Sequence, residues 1–311
     1  MDLKDLRCVV AIADTGSFVA ASERLNMSQP SVSARIRDME ANLGAQLFTR
    51  GARGVTATQL GEELLRHARS ILRQMHDAES DMLAYRGSPV GLVRVGLPTS
   101  LTAALTMPLL DLCKADMPNV RLRIVESMSG YIGNWLQDRT LDLGITFGSS
   151  PPTDIELEPL AREDLLLVGK NDAAMAPLLD AAGNVPFVRL SQVPLILPGP
   201  EHGLRTLVED VARQQAVRLG VVVELDAFGE MQQLVARGLG YTVMSSAAFN
   251  YGFRPPLSAA QILRPTVSRI VNLTTLSGRI PSRAVNEVAQ RIRQVIAMRA
   301  AEAAWLAHSI P

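Results

Sequence analysis

Apolar positions near the start of the chain recur with helical spacing, and the pattern later shifts to alternating strands and helices. Leu3 to Thr15 reads as a short amphipathic helix. Gly16 suits its end, and Ser17 suits the cap of a second helix in which Phe18, Ala21 and Leu25 share an apolar face. Asn26-Met27 make a turn. Ser28 then caps a third helix that tolerates Pro30 in its first turn. Val32, Ile36, Met39 and Leu43 fall on one face of this helix and are expected to pack inward. The opposite face carries Pro30, Ser33, Ala34 and Arg37, with Gln29 at its N-terminal end. It is small at its centre and polar or cationic at its edges, so the backbone can come close to bases and Gln29 can meet adenine N6/N7. The plainer reading is a helical hairpin with a solvated outer face.

The next segment favours the groove-binding reading. Leu47 to Thr58 places glycines around an arginine and follows them with a β-prone Val55-Thr56 pair. This suits a two-stranded wing with Arg50 and Arg53 exposed near phosphates. Arg24 to Arg73 holds eight arginines and four carboxylates, an excess of +4 in a chain whose formal net charge is zero. Any nucleic-acid contact is therefore local.

A long helix is predicted from about Thr58 to Tyr85. Leu64, Ala68, Ile71, Met75, Ala78 and Met82 are spaced four, three, four, three and four, a heptad seam. Packing on its own domain is the simpler use of such a face. The run is long for so small a domain, which favours pairing with a second subunit. Gly87-Ser88-Pro89 breaks the helix and marks a boundary.

Beyond it the pattern is α/β and doubly wound. Strands are predicted at Val93–Leu97, Val120–Val125, Leu141–Phe147, Leu165–Gly169, Leu195–Leu197, Val221–Leu225, Tyr241–Ser245 and Ser268–Leu276. Helices are predicted from a Thr99 or Ser100 cap to Asp116, at Tyr131–Asp138, Leu204–Gln215 and Glu230–Arg237, and from Ser282 to Trp305. The two sets of units match at a constant offset: Val125 with Val223, Leu136 with Leu234, Arg139 with Arg237, Leu141 with Leu239. Leu97-Pro98 is echoed by Leu197-Pro198. A duplicated half is favoured over chance likeness. Two such lobes would face each other across a cleft at the carboxyl ends of their strands, where ligands bind.

Composition narrows the function. The chain has 311 residues, room for two or three domains. Its two cysteines, Cys8 and Cys113, form no CxxC, disulfide framework or zinc spacing, and no metal or cofactor is expected. The four histidines are scattered, and no HExxH, GxSxG or Walker loop occurs, so an enzyme is disfavoured. No signal peptide or membrane-length apolar run is visible, which predicts a cytoplasmic protein without membrane contact.

The stretch GSFVAASERLNMSQPSVSARIRDMEANLGAQLFTRGARGVTATQLG resembles the N-terminal pattern of the LysR-type transcriptional regulators almost throughout. One departure is Ala34, where the family often has arginine; Arg35 follows it. The resemblance implies a winged helix-turn-helix over 1–58, a linker and dimerisation helix over 59–88, and a two-lobe, periplasmic-binding-protein-like α/β effector domain. Lobe I is expected at 89–162 and 267–311 and lobe II at 163–266, with hinge crossings near Ala161–Glu163 and Arg264–Val267. The expected DNA-contacting set is Ser28, Gln29, Pro30, Ser31, Ser33, Ala34, Arg37, Arg50 and Arg53. The partners implied are double-stranded promoter DNA, a small-molecule effector, further copies of the chain as a dimer of dimers, and RNA polymerase. The rival readings are a transporter's solute-binding protein and a metabolic enzyme.

The cleft candidates lie at strand ends and helix starts. Thr99 and Ser100 open a helix, where hydroxyls and free N–H groups favour an anion, although plain capping explains them equally well. Gly199, His202 and Arg205 sit on a loop running into a helix, and the two side chains could reach a carboxylate. Ser127, Met128, Thr146, Phe147 and Phe228 lie on the same rim. Together they predict a small, partly apolar, anionic effector, such as a carboxylate.

Overall fold

The computed structural model describes residues 1–51, 54–84, 87–148, 153–251, 256–302 and 305–309. They form two compact units, Met1–Gly87 and Ser88–Pro311.

The first unit contains α1 (Leu3–Thr15), α2 (Phe18–Arg24), α3 (Gln29–Leu43), the hairpin β1 (Phe48–Gly51) and β2 (Gly54–Ala57), and α4 (Gln59–Ala84). The local signals act as expected. Gly16 ends α1 in the left-handed region at φ 63°, Ser17 caps α2 and Ser28 caps α3. Cys8, Ile12, Ala21, Val32, Ile36, Met39, Leu47 and Leu65 form the core. Gly61 is required where α4 meets the hairpin, because a Cβ there would sit 2.1 Å from the Leu47 carbonyl oxygen. Leu43 departs from expectation. It is 49% exposed, because α3 ends at Gly44 and Leu47, fully buried, fills the core instead.

In α4, Leu65 and Ala68 are buried and Leu64 half-buried, whereas Ile71, Met75 and Met82 are exposed. The first turns of the helix thus complete the small domain, and the rest of the seam has no apolar cover from its own chain among the described residues. Arg53 and Tyr85 lie outside the described residues, as does the side chain of Arg50.

In the second unit, β3 (Gly91–Pro98), α5 (Thr99–Asp116), β4 (Val120–Ser127), α6 (Ser129–Gln137) and β5 (Leu143–Phe147) form one βαβαβ set. The long strand β6 (Ile155–Gly169) follows, then α7 (Asp172–Met175) and β7 (Val185–Pro186). The second set is β8 (Pro194–Leu197), α8 (Gly203–Gln214), β9 (Gly220–Glu224), α9 (Phe228–Ala236) and β10 (Thr242–Ser245). The chain closes with α10 (Ser246–Tyr251), β11 (Ser258–Leu263), β12 (Ser268–Leu276), α11 (Arg283–Ala300) and β13 (Ala307–Ser309). The two sets share a topology: β3 runs parallel to β4 and β5, and β8 runs parallel to β9 and bridges to Tyr241.

β6 joins the halves. Its residues 155–164 pair with β12, while 165–169 pair with β10 and β11. One core lies under β3, β5, α5 and α11, and another under the end of β6 with β8 and α8. The predicted strand at Leu165–Gly169 is the second half of β6. Its first half alternates polar residues such as Glu156, Glu158 and Arg162, which hides it from an apolar search. The helix predicted to reach Trp305 stops at Ala300. Trp305 instead lies in the following segment, 1% exposed, with its indole Nε1 donating to Glu163 Oε1 at 2.7 Å.

Candidate functional site

In the first unit, α3 presents the face anticipated for DNA. Gln29, Pro30, Ser31 and Arg37 are exposed, and Ser33 and Ala34 are half-buried. Ser28 Oγ accepts from the Ser31 N–H and pairs with the Ser31 hydroxyl at 2.7 Å. Gln29 Nε2 donates to Ser33 Oγ at 2.9 Å, so these two act as a preorganised unit. Arg35 turns away from this face and donates to Asp5 Oδ1 at 2.5 Å and to Asp2 Oδ1 at 3.3 Å. The Asp5 hydrogen bond raises the Arg35 pKa, and the Asp5 N–H above all holds Asp2 below its usual range. Arg24 and Arg69 similarly bind Asp14 of α1 at 3.2 and 2.8 Å. The local arginine excess is therefore partly spent inside the domain.

The second unit holds a chamber of about 80 Å³ opening into a wider cleft of about 810 Å³. The chamber brings together Thr99, Ser100, Ser127, Met128, Phe147, His202 and Phe228, all anticipated at strand ends or helix starts. Thr146 lines the wider cleft, its hydroxyl bonded to that of Thr274 at 2.6 Å. Met128, Leu204, Leu225, Met231, Val243 and Met244 make much of the wall apolar.

Two anticipated residues stand elsewhere. Arg205 is 7% exposed and lines neither space. Its guanidinium is held by Glu209, by the Pro198 carbonyl at 3.1 Å and by Glu224 at 3.2 Å. It staples the 198–202 loop to β9 and so supports the wall. Gly199 also stands behind the lining. Its N–H donates to Asp226 Oδ1 at 3.0 Å, and a Cβ there would lie 3.3 Å from Asp226 Oδ2.

Thr99 and Ser100 are not caps. Pro98 is the N-cap of α5, with no side-chain cap bond. The N-termini of α6 and α9, after Met128 and Ala227, are likewise uncapped by side chains. His202 does cap α8, with Nδ1 accepting from the Leu204 N–H at 3.1 Å. Burial pushes the His202 pKa down, the Arg269 charge adds to that, and Asp226 opposes it.

Arg269 and Asp226 were not anticipated. Arg269 is 9% exposed, bonded through Nε to Glu163 Oε2 at 2.8 Å and through Nη2 to Ser100 Oγ at 2.9 Å. A signal existed: Arg269 falls on the same inward-facing register of β12 as Val271 and Leu273. An arginine in that register needs a buried partner. Asp226 occupies, at the offset of the repeat, the position of Met128 after the matching strand.

Residues 3–62 match the family described as bacterial regulatory helix-turn-helix protein, lysR family, and residues 86–297 match the LysR substrate binding domain. The chain is 30% identical over 249 residues to the nitrogen assimilation regulatory protein Nac of Klebsiella aerogenes, covering 80% of this chain and 79% of that protein. It is 31% identical over 247 residues to the HTH-type transcriptional regulator CfxR of Cupriavidus necator, covering 79% and 76%. Among solved structures, full-length OxyR of Pseudomonas aeruginosa superposes with a TM-score of 0.76 at 23% identity, over 95% of this chain and 94% of that one. Full-length CbnR complexed with its target DNA gives 0.66 at 21% identity, over 96% and 100%.

Proposed function

The chain belongs to the LysR family of bacterial transcriptional regulators, and on that premise we propose that its chamber takes a small carboxylate that controls promoter binding. It is a DNA-binding regulator with an effector-binding domain, and not an enzyme. The observation that carries the carboxylate is the convergence of α5, α6 and α9 on the chamber, each with an N-terminus that no side chain caps. Unpaired N–H groups and the positive ends of helix dipoles favour an anion there. Thr99, Ser100 and His202 add donors, and the Met- and Phe-rich wall accommodates an apolar body. The lobes then comprise 89–162 with 267–311, and 163–266, moving about the β6 crossing. A ligand acts only through different affinities for two arrangements of such lobes.

On the DNA side, Gln29 and Ser33 read bases, with Pro30 and Ala34 permitting close approach. Ser28, Ser31 and Arg37 lie toward the backbone, and Arg50 and Arg53 keep the phosphate contacts assigned to them from the sequence alone. Two subunits pair through the Ile71–Met82 seam and assemble as a dimer of dimers, which suits dyad-symmetric sites. RNA polymerase is the partner through which promoter occupancy is read, and the cytoplasm is the compartment. Among the described residues no helix is long and apolar enough to cross a membrane.

The test is Thr99→Val in the full-length protein. Thr99 is not a cap, so unfolding without ligand should be unchanged. Binding of small carboxylates, read by thermal shift, should weaken by about tenfold for a lost buried donor. Equal carboxylate binding by the parent and by both Thr99→Val and Ser100→Ala places the ligand elsewhere.

A further inference from the structure

Behind the chamber wall runs a continuous buried hydrogen-bond chain. Trp305 Nε1 donates to Glu163 Oε1 at 2.7 Å, and Glu163 Oε2 accepts from Arg269 Nε at 2.8 Å. Arg269 Nη2 also reaches Glu163 Oε2 at 2.8 Å and donates to Ser100 Oγ at 2.9 Å. Glu163 is 0%, Trp305 1% and Arg269 9% exposed. Three of these residues come from distant parts of the chain: β6, β12 and the segment after α11. Only Ser100 and Arg269 touch the chamber.

Two consequences follow from donor and acceptor counting. The Nε–Nη2 edge of Arg269 is taken by Glu163, so that edge cannot clamp a ligand carboxylate in the usual two-bond fashion. Its positive charge is paired with Glu163, although His202, which also lines the chamber, still feels it. What the arginine offers the chamber is the orientation of Ser100. A hydroxyl carries one hydrogen and two lone pairs. With one lone pair occupied by Arg269, and with no acceptor for its hydrogen among the described residues, the hydroxyl can direct that hydrogen into the space the residue lines.

We propose that Glu163 and Trp305 are positioning residues for the effector site: through Arg269 they hold Ser100 as a hydrogen-bond donor to an acceptor oxygen of the ligand, and they couple that contact to the C-terminal segment. This rests on the carboxylate reading of the chamber. The coupling has a mechanical seat. Ala307–Ser309 pair with Ala161–Glu163 of β6, the Asp164 N–H donates to the Leu306 carbonyl at 2.8 Å, and the Leu306 N–H donates to Ser246 Oγ at 2.7 Å. The segment that holds Trp305 is thus bonded to β6 next to the point where that strand changes partners. A ligand oxygen that moves Ser100 is felt at Trp305.

Full-length protein labelled with 5-fluorotryptophan should give two fluorine resonances, from Trp135 and Trp305, and Trp135→Phe identifies them. Acetate, succinate and benzoate are titrated while thermal unfolding is followed in parallel. A carboxylate that raises the unfolding temperature should also move the Trp305 resonance to saturation. Ser100→Ala should weaken it about tenfold or more and abolish that movement. Trp305→Phe and Glu163→Gln, which leave Ser100 in place, should each weaken binding about three- to tenfold. Adding Trp305→Phe to Ser100→Ala should cost nothing further, since coupled residues are not additive. Parent-like binding by both Trp305→Phe and Glu163→Gln overturns the positioning role, and so does full additivity in the double variant. If none of the three carboxylates stabilises the parent, the carboxylate reading itself falls, and this inference with it. Trp305→Phe keeps the test decisive should Glu163→Gln not fold.

Discussion

The guanidinium carbon of Arg269 lies 3.4 Å from the ring centroid of Phe147, so the arginine that is paired with Glu163 also covers an aromatic face at the chamber wall. A cation over an aromatic face is worth about 0.5–2 kcal/mol. Phe147→Leu should destabilise the protein by about that amount, plus a smaller packing loss. Arg269→Met removes one half of a buried ion pair and should cost about 3–5 kcal/mol. Urea unfolding of both variants checks the order, and an Arg269→Met midpoint equal to the parent's would show that Glu163 does not depend on it.

DNA discrimination should depend on Gln29. Gln29→Ala removes the proposed two-bond base reader and should lower the preference for the operator over a scrambled site by about 1–3 kcal/mol. Ser33→Ala should act more weakly and in the same direction, by releasing the Gln29 amide that it now holds at 2.9 Å. Arg37→Ala should weaken both sites alike and reduce the salt slope by about one unit. Mobility shifts at two salt concentrations separate these outcomes, and an unchanged ratio for Gln29→Ala refutes the assignment of this face.

The seam of α4 can be tested without unfolding the domain. Ile71 is 42% exposed in the single chain, so a charge there does not enter the domain's own core. Ile71→Asp should dissociate the assembly in sedimentation while helix content persists, because a charge at a paired a/d seam loses its solvation. Sedimentation as the parent species would dismiss the seam.

His202 should make stability fall in mild acid. Burial, with the Arg269 charge, holds its pKa below the ordinary value of 6.5, so the folded state favours the neutral ring and the unfolded chain takes up the proton first. Its contribution is complete above pH 6.5 and is lost as pH falls through the folded pKa. Denaturation midpoints against pH, compared for the parent and His202→Gln, should diverge in that window. Parallel curves would show that His202 plays no part.

Apart from the repeat that matches Val125 with Val223, the features readable along the chain depend on residues a few positions apart. Gly16, Ser17 and Ser28 set helix ends within one turn, the spacing from Leu64 to Met82 sets a face, and strand ends place Thr99, Ser127, Met128, Phe147 and Phe228 on one rim. Each of these rests on backbone geometry whose period is short, so it survives without knowledge of the rest of the fold. Arg269, Glu163 and Trp305 could not be joined that way, because the bonds between them span 106 and 142 residues and form only once the sheet has brought β6 and β12 together. The same long-range pairing holds Trp305 apart from α11, which ends at Ala300, with its indole buried beside Glu163. Arg205 stands out of the cleft for a different reason, held by Glu209 one turn along α8, by the Pro198 carbonyl and by Glu224 of β9. Its local sequence suits a ligand contact, but Glu224 on a neighbouring strand claims its charge. Local chemistry therefore laid out the surfaces of both sites, and the partners of the buried charges decided which side chains can serve them.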